Sequence, residues 1–299
     1  MAPPPDRPPA VAPGGRIRVV APAGRVDPAS LAAGLAEIPE GYEVSFGAHV
    51  RDVRGYLAGE DEARLLDLQE ALDDPQAAAV VAARGGSGTT RILDRLRLEG
   101  LAARPKWIVG SSDLTALLVR LWSEMGLASI HGPMVAFLGA VPRFDRDALF
   151  DLLEGVRWRA PGGLRALSAG RARGPLVGGN LTVLAHLAGA VPAGYAEGSI
   201  LFLEDVNERP YRVDRCLVQL LRAGVLERAE GFVLGGFSGC EPGPDGTTVD
   251  EVLAEHLEPL GVPVVAGYPA AHGGRNHPFV HGGEVEISSS GNAADIEPT

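Results

Sequence analysis

Three times in its first half the chain runs from a short apolar stretch into a glycine-bearing turn and then into helical spacing. Arg16–Ala21 (RIRVVA) breaks at Pro22 and Gly24, before a helix opened by Asp27-Pro28. Ala77–Ala82 (AAAVVA) runs into Arg84-Gly85-Gly86-Ser87-Gly88, with Ile92, Leu93 and Leu96 beyond. Trp107-Ile108-Val109 runs into Gly110-Ser111-Ser112-Asp113, followed by Leu114, Leu117, Leu118, Leu121 and Trp122. A further strand at Tyr42–Phe46 and a helix over Glu60–Leu72 fill the gap between the first two units. Strand–turn–helix repetition of this kind predicts a parallel sheet with helices on its faces. Ligands of such sheets bind at the carboxyl ends of the strands. The turns 84–88 and 110–113 both lie at such ends, so the fold lets them face one cleft.

The stretch Lys106–Met134 carries the most chemistry. A strand that turns abruptly into a helix lifts the turn residue clear of the sheet. It also leaves backbone N–H groups beside that residue, at the positive end of the helix dipole. A serine nucleophile and its oxyanion hole need both features. No second glycine follows Ser112, so this is not the G-x-S-x-G elbow of α/β-hydrolases. Ser and Asp are also common helix caps, and capping alone would explain Ser112 and Asp113.

At 299 residues the chain has room for two domains. Residues 1–15 (MAPPPDRPPAVAPGG) read as a solvated proline-rich tail without a secretory pattern. The sequence predicts an N-terminal domain over 16–160, with a short helix over Asp147–Leu153, a Gly/Ala/Arg-rich linker over 161–173, and a C-terminal domain over 174–299. The C-terminal part mixes apolar strands (Ser199–Leu203, Gly231–Phe237, Val262–Gly267, Glu284–Ser288) with helices after Asn180, over Val213–Arg222 and over Val249–Leu257. This predicts a smaller α/β or β-rich domain. A net charge of −11 argues against nucleic acid as a partner, and no apolar run reaches the roughly 20 residues needed to span a bilayer. Cys216 and Cys240 form no metal or disulfide framework; they read as small core residues and suit a reducing cytoplasm.

Glu204 and Asp205 stand where the Ser199–Leu203 strand is expected to stop, and with Arg209, Arg212 and Arg215 nearby they could equally be ion-paired caps. His272 lies in the irregular loop Tyr268–Asn276, where an imidazole of near-neutral pKa could act as a general base. His277 shares that loop and competes with it. His49, His256 and His281 read as surface residues. Ser112, Glu204 and His272 thus supply a nucleophile, an orienting acid and a base, an arrangement in which geometry rather than chain order decides. On spacing alone the signal is weak.

Several motifs occur together and in order from Arg16 to Val285: ARGGSG (Ala83–Gly88), VGSSD (Val109–Asp113), HGPM (His131–Met134), GGNL (Gly178–Leu181), LFLEDV (Leu201–Val206), PYRVDR (Pro210–Arg215) and the Tyr268–Asn276 loop. In this combination the chain resembles the LD-carboxypeptidase family, the S66 serine peptidases, which include microcin-immunity-type hydrolases. The resemblance implies Ser112 as nucleophile, Glu204 as acid, His272 as base, and the N–H groups of Gly86 and Asp113 as oxyanion hole. It implies a flavodoxin-like N-terminal domain and a β-containing C-terminal domain with the site between them. It further implies a cytoplasmic homodimer that needs neither metal nor cofactor. The implied substrate is a small peptide with an L,D-linkage, most often a murein tetrapeptide ending in D-alanine.

The chain departs from the family pattern at two positions, where Ser87 and Ser111 stand in place of common aromatics and leave a roomier site. Three other readings stay open at this point: an amidase acting on peptidyl-nucleotide antibiotics, an inactive family member, and a binding protein whose Gly85–Thr90 turn cradles a phosphate. The last has neither a Walker lysine nor a G-x-G-x-x-G after the first strand.

Overall fold

The computed structural model describes residues 7–272 and 274–299. The chain divides into two compact units. One runs to Arg157 and includes Pro278–Val280; the other comprises Trp158–His277 and His281–Thr299.

The first unit alternates strands and helices: β1 (Arg16–Val20), α1 (Pro28–Leu35), β2 (Glu43–Phe46), α2 (Asp61–Asp73), β3 (Ala77–Ala82), α3 (Thr89–Ile92), α4 (Glu99–Ala103), β4 (Trp107–Gly110), α5 (Thr115–Met125), β5 (Ser129–His131) and α6 (Arg143–Leu153). The strand order is β2-β1-β3-β4-β5, extended at the β5 edge by a short strand from far down the chain, Phe279–His281. The pairs β1–β2, β1–β3, β3–β4 and β4–β5 are all parallel. This is the doubly wound, flavodoxin-like order, whose crevice opens where the order reverses, between β1 and β3. The strands are apolar on both faces because helices cover both: Ile17, Val19, Val80, Val81, Ile108, Val109 and Ile130 are all buried.

Local chemistry explains where the elements begin and end. Asp27 caps α1, its carboxylate accepting the Ser30 N–H at 2.8 Å, with Pro28 at the first helical position. Lys106, buried just before β4, donates to the carbonyls of Ala71, Leu72 and Asp74 at the end of α2. A cation there satisfies orphan carbonyls at the negative pole of the helix. Gly34 lets α1 approach the segment after Met134, since a Cβ on it would lie 1.7 Å from the Val135 carbonyl oxygen. Gly34→Ala is therefore expected to destabilise the protein by about 3 kcal/mol or more, read as a lowered midpoint in denaturant.

The second unit is a closed barrel. Its elements are β6 (Arg165–Ser168), β7 (Gly170–Asn180), α7 (Leu181–Leu187), β8 (Ile200–Val206), α8 (Pro210–Arg222), β9 (Gly231–Ser238), α9 (Val249–Leu257), β10 (Val264–Ala266) and, after the Phe279–His281 strand (β11) of the first sheet, β12 (Gly283–Ser290) and β13 (Ala293–Pro298). The barrel order is β10-β6-β13-β12-β7-β8-β9, closed by the parallel β9–β10 pair.

Three expectations need correction. Of the tail over 1–15, residues 1–6 lie outside the described residues, but Pro8 and Val11 of the rest are buried. The Val11 N–H donates to the Leu153 carbonyl, while the Gly14 N–H donates to that of Gly41. Apolar Val11 outweighs the proline-rich composition. Most of the linker over 161–173 is strand, holding β6 and the start of β7. The β7–β12 ladder runs through Arg173, Ala172, Arg171 and Gly170, so long-range pairing orders a stretch that has little pattern of its own. Glu204 and Asp205 lie inside β8 rather than beyond its end.

Candidate active site

The first unit builds a turn around Ser112. At the end of β4 the backbone folds back so sharply that a Cβ on Gly110 would lie 2.6 Å from that of Leu114. Ser112 then adopts φ +59°; among the described non-glycine residues only it and Asn207 have positive φ. A left-handed L-residue costs about 1–2 kcal/mol, and such strain clusters at functional sites. The Gly85 turn after β3 packs directly on this serine: a Cβ on Gly85 would lie 2.9 Å from Ser112 Cβ and 3.1 Å from its Oγ. The neighbouring Gly86 takes φ +117°, which favours glycine.

The two turns are fastened together. Buried Asp113 accepts the Thr89 N–H through Oδ2 at 2.8 Å, tying the residue after Ser112 to the start of α3. Arg64, with its side chain fully buried, donates to the carbonyls of Pro22 and Gly88 and pairs with Asp61. The turns after β1 and β3 are thus pinned on the β1/β3 side of the sheet. Ser87 points to solvent and Ser111 is buried.

The second unit builds an acid–base pair. Glu204 is 1% exposed, and its Oε2 lies 2.9 Å from His272 Nδ1, whose side chain is 23% exposed. With a carboxylate as acceptor, Nδ1 donates, which leaves the Nε2 lone pair outward as the basic site. Burial raises the Glu204 carboxyl pKa, and the hydrogen bond and charge of His272 counter it. At His272 burial works against the imidazolium, but the hydrogen bond and charge of Glu204, aided by Asp205, outweigh it. Its pKa therefore sits above the ordinary histidine value.

Asp205, next in β8, faces a different set of partners. It accepts from Asn180 Nδ2 at 2.9 Å and from both the N–H and the hydroxyl of Thr182, at 3.0 and 2.7 Å. Asn180 in turn caps α7 through the Val183 N–H. One carboxylate of the strand thus binds the imidazole while the other ties β8 to the start of α7.

A glycine pair in β9 brings the histidine loop to Glu204. The β8–β9 register slips between Leu203 and Asp205, opposite Gly235-Gly236. A Cβ on Gly235 would lie 2.6 Å from the Ala270 carbonyl oxygen, and one on Gly236 would lie 2.5 Å from Ala271 Cβ. The Gly236 N–H donates to that same Ala270 carbonyl at 2.9 Å. Two bare residues in the strand thus let the loop lie flat on β9, one residue before His272. A Gly-Gly pair inside an apolar strand is the available signal, since glycine there marks a bulge or close backbone approach. Gly236→Ala is expected to cost about 1–3 kcal/mol of stability and, if His272 is the catalytic base, about 100-fold in kcat by displacing its imidazole. Thermal unfolding and steady-state rates check the two effects separately.

The competing histidines take other roles. His277 Nε2 sits 3.1 Å from the Arg159 carbonyl oxygen. His281 is fully buried rather than at the surface. It accepts the Gly178 N–H through Nε2, and burial drives its pKa down to about 3. His256 is half-buried against Asp214 at 2.6 Å, while the more exposed His49 pairs with Asp52 at 2.9 Å. Ser112, Gly86 and Asp113 therefore lie together in the first unit, and Glu204 and His272 together in the second.

Known proteins share both units. The sequence matches the LD-carboxypeptidase N-terminal domain over residues 17–132 and the LD-carboxypeptidase C-terminal domain over residues 173–287. The murein tetrapeptide carboxypeptidase of Pseudomonas aeruginosa is 35% identical over 283 residues, covering 90% of this chain and 91% of that one. The crystal structure of muramoyltetrapeptide carboxypeptidase from Oxalobacter formigenes superposes with TM-score 0.80 at 30% identity, covering 95% of this chain and 100% of that one. An MccF-like protein from Bacillus anthracis shares the fold with TM-score 0.84 at 23% identity, covering 98% and 99%. Matched through both halves, the chain belongs to the LD-carboxypeptidase family of peptide hydrolases.

Proposed function

We propose that the chain is a serine carboxypeptidase that hydrolyses an L,D-amide bond and releases the terminal D-alanine of a murein tetrapeptide. The observation that carries the serine assignment is the left-handed Ser112 at the β4 turn, against which the Gly85 turn packs. The relatives named for murein or muramoyl tetrapeptides, at 35% and 30% identity, support the substrate. At 23% the MccF-like structure speaks for the fold alone.

In this reading the N-terminal domain supplies the nucleophile and the C-terminal domain the acid and base. Ser112 Oγ adds to the scissile carbonyl carbon as its proton passes to His272 Nε2. Glu204 holds the Nδ1–H tautomer and stabilises the imidazolium. The N–H groups of Gly86 and Asp113 receive the oxyanion. When the C–N bond breaks, His272 returns the proton to the departing amine of D-alanine. Water, deprotonated by His272, then hydrolyses the acyl-serine and regenerates the hydroxyl. A cytoplasmic role in cell-wall recycling, carried out by a homodimer, belongs to the same proposal. Both cysteines are free thiols, and among the described residues no helix is long and apolar enough to cross a membrane.

The test is mass spectrometry of a murein tetrapeptide incubated with the protein. Loss of one D-alanine, and of nothing further, is the expected outcome. An unchanged tetrapeptide, or cleavage at an internal bond, overturns the proposal.

A further inference from the structure

A carboxypeptidase must tell a free terminal carboxylate from a continuing chain, and a cation does this directly. The reader has to sit close to the oxyanion hole. The terminal carboxyl carbon of the leaving residue is one residue beyond the scissile carbonyl, and consecutive residues step only about 3.8 Å. The acidic net charge of the protein makes a local cation the more necessary for an anionic substrate.

Several arginines stand at this end of the first sheet. Arg64 and Arg91 share the Asp61 carboxylate, so each already has an anionic partner. Arg84 is different. It follows β3 directly and leads into the Gly85-Gly86 turn that packs on Ser112. Its Nε donates to the Gly85 carbonyl at 3.2 Å and its Nη1 to that of Arg25 at 3.1 Å. These neutral acceptors fix the guanidinium without cancelling its charge, and among the described residues no carboxylate pairs with it. Its Nη2 lies 3.7 Å from the point a Cβ on Gly86 would occupy, and a guanidinium carries five donors, of which these bonds use two. The side chain is half-buried, so one edge remains open.

We propose that Arg84 is the specificity-determining residue that binds the terminal carboxylate of the substrate and makes the enzyme an exopeptidase. The assignment rests on the carboxypeptidase reading above. Two backbone carbonyls hold the planar head in place, and the free edge meets the carboxylate beside the Gly86 N–H that receives the oxyanion.

The experiment compares an L,D-tetrapeptide ending in D-alanine with the same peptide ending in D-alanine amide, using wild type, Arg84→Met and Arg84→Lys. Wild type is expected to prefer the acid by about 10–100-fold in kcat/KM, the worth of one charge-assisted hydrogen-bonded contact. Arg84→Met should bring that ratio close to one, mainly through KM of the acid, and Arg84→Lys should restore part of it. A ratio that survives in Arg84→Met, or an equal fall on both peptides, overturns the assignment while leaving the carboxypeptidase reading standing. Wild type that cleaves the two peptides equally well does the same. Wild type that cleaves neither removes both.

Discussion

Ser112→Ala is expected to lower kcat for D-alanine release by about 10^4–10^6-fold, as loss of a triad serine does elsewhere, while leaving the fold unharmed. Alanine removes the nucleophilic oxygen and keeps the Cβ that the Gly85 turn packs against. The strain of the left-handed backbone remains, so stability should move by less than about 1 kcal/mol. The adjacent Ser111 is the internal control. It is buried, with extended backbone at φ −151°, and Ser111→Ala should keep most of the activity. Steady-state kinetics with thermal unfolding of both variants decides which hydroxyl reacts. Full activity in Ser112→Ala would refute the serine mechanism outright.

Glu204→Gln carries the second large effect, and it has a pH signature. The hydrogen bond and charge of Glu204 hold the His272 pKa above its ordinary value of about 6.5. In the proposed mechanism only the neutral imidazole accepts the Ser112 proton. Activity in wild type should therefore rise with pH through an acid limb whose apparent pKa lies above about 6.5. Removing the Glu204 charge leaves burial opposed mainly by the weaker field of Asp205, which disfavours the imidazolium and lowers its pKa. The acid limb of Glu204→Gln should shift to lower pH, while kcat on the plateau drops by about 10^3–10^4-fold. A lower plateau with an unmoved limb would show that Glu204 acts only through packing. The pH dependence of kcat/KM, measured for both proteins, reads the two effects together.

The N-terminal unit was largely legible in the sequence because each of its elements announces itself locally. Ala77–Ala82 is a β-branched and alanine run bounded by turn residues, and the strand occupies those residues. Asp27-Pro28 is a helix start in its own right. The parallel order follows from repetition of one unit. The barrel was less legible because its defining contacts are distant. Arg171 and Arg173 become strand only through pairing with Ser288 and Glu286. The three residues of β11 are too short to signal that they extend a sheet built from the other end of the chain.

Candidate site residues divide along the same line. Ser112 was visible because strand, turn and helix are contiguous around it. The choice of His272 over His277 could not be made from the loop sequence, since it depends on which imidazole the Gly235-Gly236 strand brings to Glu204. His281 was misread as exposed because its flanks are mixed, yet it ends up sealed against the Gly178 backbone.

The proposed triad makes Ser112 and His272 parts of a single proton-transfer machine, although they come from separate units of the chain. Comparing Ser112→Ala, His272→Ala and the double variant in kcat for D-alanine release from the tetrapeptide tests this most directly. Residues that act as one unit are non-additive, so the double variant should be no slower than the worse single variant. Losses that multiply in the double variant would contradict a shared mechanism.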